Sequence, residues 1–289
     1  MANIQRAILS WYDQNKRELP WRTSKNPYFI WISEVVLQQT RVEQGAPFFY
    51  RLTSVFPSIQ DLASADEKDV LLAWKGLGYY SRARNLHKAA RQIMEIYQGV
   101  FPTNHTELIK LAGIGAYTAA AISSISFNEP VAAIDGNVIR IVSRLLDLPG
   151  QVESAQTTKV IKEFANEILS KNRPGDFNQA LMDLGSLICT PKSPACHECP
   201  VMEFCAARAK NSQHLRPVKK PKKKAVNRFL IFKIIINQGK ILMVQQQKGS
   251  IWENLHLFPF DEHSSEEAFL SELDLENKVL MEPSLHVLS

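Results

Sequence analysis

All four cysteines of this 289-residue chain lie within one short window. Cys189, Cys196, Cys199 and Cys205 follow the spacing C-x6-C-x2-C-x5-C. Cysteines grouped in this way favour a metal site over scattered disulfides, and no signal segment is recognisable that would lead us to expect an oxidising compartment. A four-thiolate iron–sulfur cluster is compatible with the spacing. Zinc stays open as the alternative, although its paired ligands usually stand about two to four residues apart.

Two acidic residues stand in apolar surroundings. Glu34 lies inside the apolar segment 29–37, and Asp135 follows the apolar run 131–134. Burial raises the pKa of such a carboxyl and makes it a proton donor near neutral pH. Two carboxyls of this kind suit the cleavage of a glycosidic bond, one as the acid and one as the stabiliser of an oxocarbenium ion. For either residue alone, a helix cap or a solvated charge is the ordinary explanation.

Gly113 and Gly115 separate two helical patterns, 107–111 and 117–125. Glycines at this spacing allow a tight turn whose backbone N–H groups, together with the next helix N-terminus, suit a phosphate. A plain helix–helix turn explains the same residues.

A second Gly-x-Gly, at 76–78, shows how readily the pattern recurs. It is followed by an aromatic and basic group suited to base stacking and phosphate contact, which consists of Tyr79, Tyr80, Arg82 and Arg84.

The elements that must position these residues are helical in most of the chain. Apolar residues recur at helical spacing near the N-terminus, at Ile4, Ile8, Leu9 and Tyr12, and again between 86 and 97. After residue 227 the pattern changes, and 229–236 and 241–246 are predicted to form two strands joined by a glycine-containing turn.

Composition narrows the class of protein. Apolar residues make up 45% of the chain, and no apolar run approaches the ~20 residues of a membrane span, so a transmembrane protein is excluded. The formal net charge is +5. Eight Lys or Arg and no acid occur between 206 and 226, whereas 227–289 carries five basic and nine acidic residues. We therefore predict a body over 1–212, a basic linker over 213–226 and a tail over 227–289.

Several motifs, taken together and in chain order, resemble the helix–hairpin–helix DNA glycosylases of the endonuclease III superfamily, and within it the adenine DNA glycosylases. They are Pro20-Trp-Arg22, the segments 31–42 and 76–80, the glycine turn, the segments 134–140 and 177–180, and the cysteine window. The resemblance is dense over 1–212 and loose in the tail. It implies an all-α catalytic body with a six-helix module at about 20–130. It also implies a second module, of 1–19 with 131–212, in which the four cysteines hold a [4Fe–4S] cluster.

The resemblance also implies a role for each matched residue. Glu34 protonates the departing adenine, and Asp135 stabilises or traps the sugar cation. Tyr117 and Asn137 hold these carboxylates. The remaining residues bind the substrate: Trp21, Arg22, Leu37 and Gln179 around the extruded adenine, Gln39 and Tyr79 as a wedge in the duplex, and Gly113 and Gly115 at a phosphate. A base inside a duplex is out of reach, so such an enzyme must flip it.

Tyr117 occupies the position at which bifunctional relatives carry a lysine. A phenol forms no Schiff base, so we predict a monofunctional glycosylase that leaves an abasic site. The expected substrate is double-stranded DNA with adenine opposite 8-oxoguanine or guanine. We expect a monomer in the bacterial cytoplasm, associated with the nucleoid and with no membrane partner. A thymine or uracil mismatch glycosylase and a non-catalytic iron–sulfur DNA-binding protein are the alternatives.

The tail resembles part of a Nudix-like domain that reads 8-oxoguanine. Only 63 residues follow the linker, about half of what such a domain usually needs, so we expect an incomplete domain in a shortened chain. Residues 286–289 resemble the beginning of the loop that inspects the oxidised base. Nudix hydrolase chemistry is not expected, because no Arg lies between Glu262 and Glu282 to complete its magnesium-binding helix.

Overall fold

A computed structural model describes residues 1–221, 227–247, 249–250, 252, 255–263, 265 and 267. Close contacts divide the chain into two units, 1–220 and 221–289. The division falls inside the predicted linker 213–226. The predicted role of 286–289 lies outside the described residues.

The first unit is helical. Its α-helices are α1 (Ala2–Asn15), α2 (Pro27–Val36), α3 (Val42–Val55), α4 (Ile59–Ser64), α5 (Glu67–Trp74), α6 (Ser81–Tyr97), α7 (His105–Leu108), α8 (Ala116–Phe127), α9 (Gly136–Leu145), α10 (Ala155–Ile168), α11 (Pro174–Leu187) and α12 (Ala206–Ala209). Short 3-10 turns occupy Pro20–Arg22, Cys196–Glu198, Met202–Phe204 and Gln213–Leu215. The predicted all-α body is confirmed. Within the part of the chain that the structure describes, no helix is long and apolar enough to cross a membrane.

The helical spacing of apolar residues predicts most of the buried positions of α1 and α6. In α1, Ile4, Ile8 and Tyr12 are buried, as their spacing predicts. In α6, Leu86, Ala89, Ala90 and Ile93 are buried and Tyr97 packs partly buried against the core, but the predicted Ile96 is 64% exposed. Ile96 therefore lies at the side of the buried stripe rather than on it.

Two hydrophobic cores fill the helical unit. One is formed by residues from the segment 21–133 and includes Trp31 and Trp74, which are almost fully buried. The other joins α1 to α9, α10 and α11 and includes Phe177. Helix α8 packs against both α2 and α11. It therefore brings together the helices that carry Glu34, Tyr117 and Gln179.

The glycine turn joins α7 to α8. Gly113 has φ +71°, a left-handed conformation that favours glycine, and a Cβ added there would stand 2.6 Å from the Cβ of Asn85. Gly115 is the N-cap residue of α8. The turn is therefore a tight hairpin with the following helix N-terminus at its end, as the glycine spacing predicts.

The basic segment after the cysteines is held on the helical unit as far as residue 220. Arg144 donates to the carbonyl of Gln213 (2.9 Å), and Val152 N–H donates to the carbonyl of Val218 (2.9 Å). Arg216 pairs with Asp147 at 2.8 Å. The first part of the predicted linker is therefore part of the helical unit.

The second unit contains short antiparallel strands. They are β1 (Phe229–Phe232), β2 (Ile236–Asn237), β3 (Lys240–Ile241), β4 (Val244–Gln245), β5 (His256–Leu257) and β6 (Phe260–His263). The predicted turn is present between β2 and β3. The predicted long strand 229–236 is wrong as a single element. Its first half pairs with β6 rather than with the next strand, and the backbone N–H of Lys233 donates to the carbonyl of Pro259.

Candidate active site

Glu34 is carried by an almost wholly apolar helix. Helix α2 begins at Pro27, behind the side-chain cap of Asn26, and its residues on either side of Glu34, Ser33 and Val35, are buried. The Glu34 carboxyl lines a cavity but is desolvated, and this burial raises its pKa to about 7. The negative charge of Asp135 raises the pKa further, while a hydrogen bond with Tyr117 and the charge of Arg22 oppose the rise. A carboxyl with this pKa still carries its proton in a large share of the molecules at neutral pH, where an ordinary glutamate has lost it.

Asp135 is the N-cap residue of α9. Its Oδ1 accepts hydrogen bonds from the backbone N–H groups of Asn137 and Val138, both at 2.8 Å, and its Oδ2 accepts one from Asn137 Nδ2 at 2.7 Å. Burial raises the pKa of Asp135, but these three hydrogen bonds and the charge of Arg140 act in the opposite direction. The helix cap and the candidate catalytic carboxylate are thus the same residue.

The segment before Asp135 is anchored by Asn178, a residue that the sequence reasoning did not single out. Asn178 is fully buried, and its Oδ1 accepts from Ala133 N–H at 3.1 Å. Its Nδ2 donates to the carbonyl of Val131 and to the Ser124 hydroxyl, both at 2.9 Å. The buried amide therefore fixes the backbone that delivers the carboxylate.

Tyr117 lies in the first turn of α8, and its side chain is close to both carboxyls. Burial raises the pKa of its phenol well above the ordinary value, and the charges of Glu34 and Asp135 raise it again. The hydroxyl also reaches Met182 Sδ at 3.7 Å. Tyr117 is consequently a neutral hydroxyl beside both carboxyls.

Arg22 is held in place by a buried carboxylate. Asp183 accepts from Arg22 Nη1 at 2.6 Å and from Arg22 Nη2 at 2.9 Å, and its side chain is 0% exposed. Arg17 pairs with the same carboxylate at 2.6 Å. This bidentate pairing fixes the plane of the guanidinium whose charge acts on Glu34. Asp183 was missed in the sequence, although it is an acid between apolar residues of 181–184, the signal that singled out Glu34.

One cavity of about 930 Å³ unites most of the predicted residues. Its lining includes Trp21, Arg22, Glu34, Leu37, Gln39, Tyr117, Asp135, Asn137 and Gln179. Tyr79, Gly113 and Gly115 do not line it. The cavity therefore combines a proton donor, a second carboxyl, a cation and aromatic and amide side chains, which together suit acid–base chemistry on a bound ligand.

The two predicted wedge residues share an uncommon backbone conformation with positive φ. Gln39 has φ 57° and Tyr79 has φ 48°, and both side chains are exposed. The expectation that Arg82 contacts phosphate is wrong for this structure. Its guanidinium turns inward and donates to backbone carbonyls, with Gln38 O the nearest at 2.6 Å.

A chain of hydrogen bonds links Asp135 to the cysteine segment. Asn137, which donates to Asp135, accepts from Arg140 Nη2 at 2.8 Å. Arg140 Nε in turn donates to the carbonyl of Cys189 at 2.7 Å. A Cβ at Gly185 would stand 2.5 Å from Asn137 Cβ, so this packing requires glycine.

The four cysteine side chains act on one another. Burial raises the pKa of Cys199 to about 11, and the charges of Cys189, Cys205 and Cys196 raise it further. Four thiols this close need a cationic partner before all can ionise, which an iron–sulfur cluster supplies. The four free cysteines of this segment are therefore a donor set that fits a four-iron cluster.

Two family models match the chain. A model described as HhH-GPD superfamily base excision DNA repair protein matches residues 32–171. A model described as the iron–sulfur binding domain of endonuclease III matches residues 189–205, which begin and end at cysteines of the window.

Curated relatives share a single description, adenine DNA glycosylase. The protein from Buchnera aphidicola subsp. Schizaphis graminum is 40% identical over 253 residues, which are 87% of this chain and 73% of the relative. The rat protein is 42% identical over 219 residues, and the human protein 41% over 216 residues. This chain spans 42% and 40% of those two mammalian relatives.

Solved structures share the helical fold. A thermostable thymine-DNA glycosylase superposes with a TM-score of 0.66 at 26% identity, over 72% of this chain and 95% of that one. A non-covalent endonuclease III–DNA complex superposes with a TM-score of 0.61 at 23% identity, over 72% and 94%. The latter likeness concerns the fold alone.

Proposed function

The chain belongs to the adenine DNA glycosylases of the HhH-GPD superfamily, and from this membership we propose that it removes adenine mispaired with 8-oxoguanine or guanine by hydrolysing the N-glycosidic bond. The observation that carries the mechanism is the pairing of Glu34, protonated near neutral pH, with the hydrogen-bonded Asp135 in one cavity. Glu34 is desolvated, whereas Asp135 accepts three hydrogen bonds, so the two settings suit separate roles as the acid and as the stabiliser of a cation.

Glu34 supplies the proton that adenine needs to leave. When the bond between the sugar C1′ and the base breaks, its electron pair goes to the adenine ring, and protonation of a ring nitrogen makes that ring a better leaving group. A carboxyl with a pKa of about 7 is matched to this transfer at physiological pH. Arg22, fixed by Asp183, keeps a positive charge near the carboxyl and limits how far its pKa rises.

Asp135 stabilises the positive charge that develops on the sugar. Its carboxylate is held by donors that are part of α9, so little reorganisation is required when the oxocarbenium ion forms. A water molecule then adds its oxygen to C1′, and its proton passes to a neighbouring carboxylate. The products are free adenine and an abasic site.

Tyr117 makes the reaction monofunctional. Its neutral phenol stands beside both carboxyls, where bifunctional members of the superfamily place an amine. Because a phenol cannot form a Schiff base with the sugar, the enzyme has no route to strand cleavage through a covalent imine. The phenol can still orient the Glu34 carboxyl and the attacking water.

The cavity supports adenine as the extruded base. Trp21 is buried, with its ring centroid 5.3 Å from that of Phe49, and forms a rigid wall for a flat ligand. Gln179 has a single long contact of its own, to the carbonyl of Gly175 at 3.4 Å, which leaves its amide able to bind a base edge. A thymine glycosylase is the second candidate, favoured by the likeness to the thymine-DNA glycosylase structure.

The iron–sulfur cluster bound by Cys189, Cys196, Cys199 and Cys205 has a structural role in this proposal. When bound, it would supply the positive charge that lets the four half-buried thiols ionise together, and its coordination would order the segment 189–205. We further propose that the chain acts as a monomer on duplex DNA, at the nucleoid of a bacterial cell, and that 8-oxoguanine is read by the Nudix-like tail.

A gel assay with end-labelled duplexes tests this function. The chain is incubated with adenine opposite 8-oxoguanine, adenine opposite guanine, or thymine opposite guanine, and each sample is run with and without alkali. We expect strand breaks from the two adenine duplexes only after alkali, and no lysine adduct trapped by borohydride. Breaks from the thymine duplex alone would favour the second candidate. Breaks without alkali at the rate of base release would contradict the monofunctional mechanism.

A further inference from the structure

Arg82 joins two loops that are distant in sequence. It lies in the first turn of α6, yet its guanidinium reaches the end of α2. There Nη1 donates to Val35 O at 3.0 Å, to Val36 O at 3.3 Å and to Gln38 O at 2.6 Å. These carbonyls belong to the turn that leads directly into Gln39.

The other side of the same guanidinium contacts the loop before α6. Nη2 donates to Leu77 O and to Gly78 O, both at 3.3 Å. The guanidinium carbon also lies 5.2 Å from the centroid of the Trp74 ring and 5.5 Å from that of Tyr79. Arg82 is therefore in contact with the Tyr79 ring itself and with the backbone immediately before it.

Both loops place a residue with a side chain in the left-handed region. Gln39 and Tyr79 have φ 57° and 48°, a conformation that disfavours any residue carrying a Cβ. Such a conformation persists only where the surroundings impose it. The helix end at Val36 leaves carbonyls without intrahelical partners, and Arg82 satisfies several of them at once.

We propose that Arg82 is the positioning residue that holds Gln39 and Tyr79 as one preformed wedge for base extrusion. The proposal rests on the proposed function and adds a residue that touches neither the adenine nor the reacting atoms. A planar guanidinium with five donors can bind carbonyls of both loops together, whereas a lysine ammonium can contact them only as a point charge. Without Arg82 the wedge has to be ordered during each extrusion.

The consequence is specific to adenines that must be unpaired and unstacked. Extrusion is hardest for a base held in a duplex and easiest for one that has no partner. Loss of Arg82 should therefore slow excision of a paired adenine much more than excision of an unpaired one. A residue that merely supports the fold would affect both equally.

The experiment compares Arg82→Gln and Arg82→Lys with the unmodified chain in single-turnover excision. The paired substrate has adenine opposite 8-oxoguanine, and the unpaired one has adenine opposite a three-carbon spacer that carries no base. Rates are normalised to the active fraction from burst amplitude, so incomplete folding does not enter the comparison. The matched control is Arg91→Gln on the same helix, because Arg91 is exposed and makes one long hydrogen bond, to Ala63 O at 3.4 Å.

We expect Arg82→Gln to lose about 10–100-fold on the paired substrate and about threefold or less on the unpaired one. Arg82→Lys should lie between Arg82→Gln and the unmodified chain, and Arg91→Gln should match the unmodified chain on both substrates. Equal losses on both substrates, or no loss on either, would overturn the proposal. Should Arg82→Gln not fold, the same ratio measured for Arg82→Lys decides.

A second readout separates this inference from the proposed function. 2-Aminopurine placed opposite 8-oxoguanine fluoresces when it leaves the stack, whether or not any bond is cut. A fluorescence rise that is slower in Arg82→Gln supports the wedge role even if the unmodified chain excises no adenine, in which case the proposed function fails. A rise of unchanged rate and amplitude in Arg82→Gln overturns the wedge role.

Discussion

Glu34 and Asp135 line the same cavity, but the two carboxyls are held in opposite ways. Glu34 projects from an apolar helix. Its hydrogen-bond partner, Tyr117, and the nearby positive charge, Arg22, are side chains from elsewhere in the fold. Asp135 caps α9 and accepts three hydrogen bonds from Asn137 and Val138, two and three residues further along the chain. Burial raises the pKa of both.

The difference shows how strongly each setting favours the protonated form of its carboxyl. Desolvation dominates at Glu34 and raises its pKa to about 7. At Asp135 the donors that bind the ionised form offset part of the same effect. One carboxyl is consequently ready to give a proton and the other ready to face a cation, although both are acids buried in one cavity.

The largest expected effect is the loss of the Glu34 proton. Glu34→Gln keeps the shape of the side chain but cannot transfer a proton, so excision should fall about 10²–10⁴-fold. Duplex binding should change little, because phosphate contacts do not involve this group. Single-turnover excision and a binding titration measure the two effects. A rate near that of the unmodified chain would remove Glu34 from the acid role.

Asp135→Asn should lower excision about 10²–10³-fold, because the cation then lacks its opposing charge. Asparagine is as good an N-cap as aspartate and keeps an oxygen for the two backbone N–H groups, but it cannot accept from Asn137 Nδ2, so the thermal midpoint should fall less than in a variant without a cap. Asp135→Ala is the matched variant, and it should lose the same activity and in addition about 1 kcal/mol of stability. If Asp135→Asn retained full activity, the charge of Asp135 would have no part in the reaction.

The pH profile should follow Glu34. Since the protonated form is active, the single-turnover rate should decline as the pH rises through about 7, approaching a tenfold loss for each further pH unit. The residual excision by Glu34→Gln should not show this decline at alkaline pH, the alkaline limb of the profile. A limb that persists in the variant would belong to another group.

Stability should show the same titration without any substrate. The pKa of Glu34 is higher in the folded chain, about 7, than its ordinary value of 4.5, so folding binds the proton more tightly. The resulting stabilisation is complete below about pH 4.5 and is lost as the pH rises through about 7. Denaturant unfolding at pH 8.5 should therefore find Glu34→Gln about 1–3 kcal/mol more stable than the unmodified chain. Equal stability at that pH would show that Glu34 is well solvated.

The smallest expected effect concerns Tyr117. Its hydrogen bond lowers the pKa of Glu34, so Tyr117→Phe should displace the alkaline limb slightly upward. The rate at neutral pH should change by less than about tenfold, because one hydrogen bond is removed and no charge is created. A downward displacement of the limb would mean that the phenol stabilises the protonated form instead.

Much of the site was accessible from local sequence. Asp135, Gly136 and Asn137 form a capping sequence whose hydrogen bonds close within three residues, and Gly113 marks a turn that only a left-handed residue completes. The helices, the hairpin and the cysteine group were predictable for the same reason. The strands of the second unit were predicted less well, because β1 pairs with β6, which is distant in the chain.

The sequence by itself determined which residues can do chemistry and which turns present them, because caps, glycine turns and cysteine spacing depend on near neighbours. Only the tertiary structure decided how far the pKa of Glu34 rises, because desolvation and opposing charges come from other elements of the fold. The pairing of Arg22 with Asp183 crosses 161 positions. The contact between Arg82 and Val35 crosses 47. Neither pairing follows from local pattern, because both form only when the helices have packed.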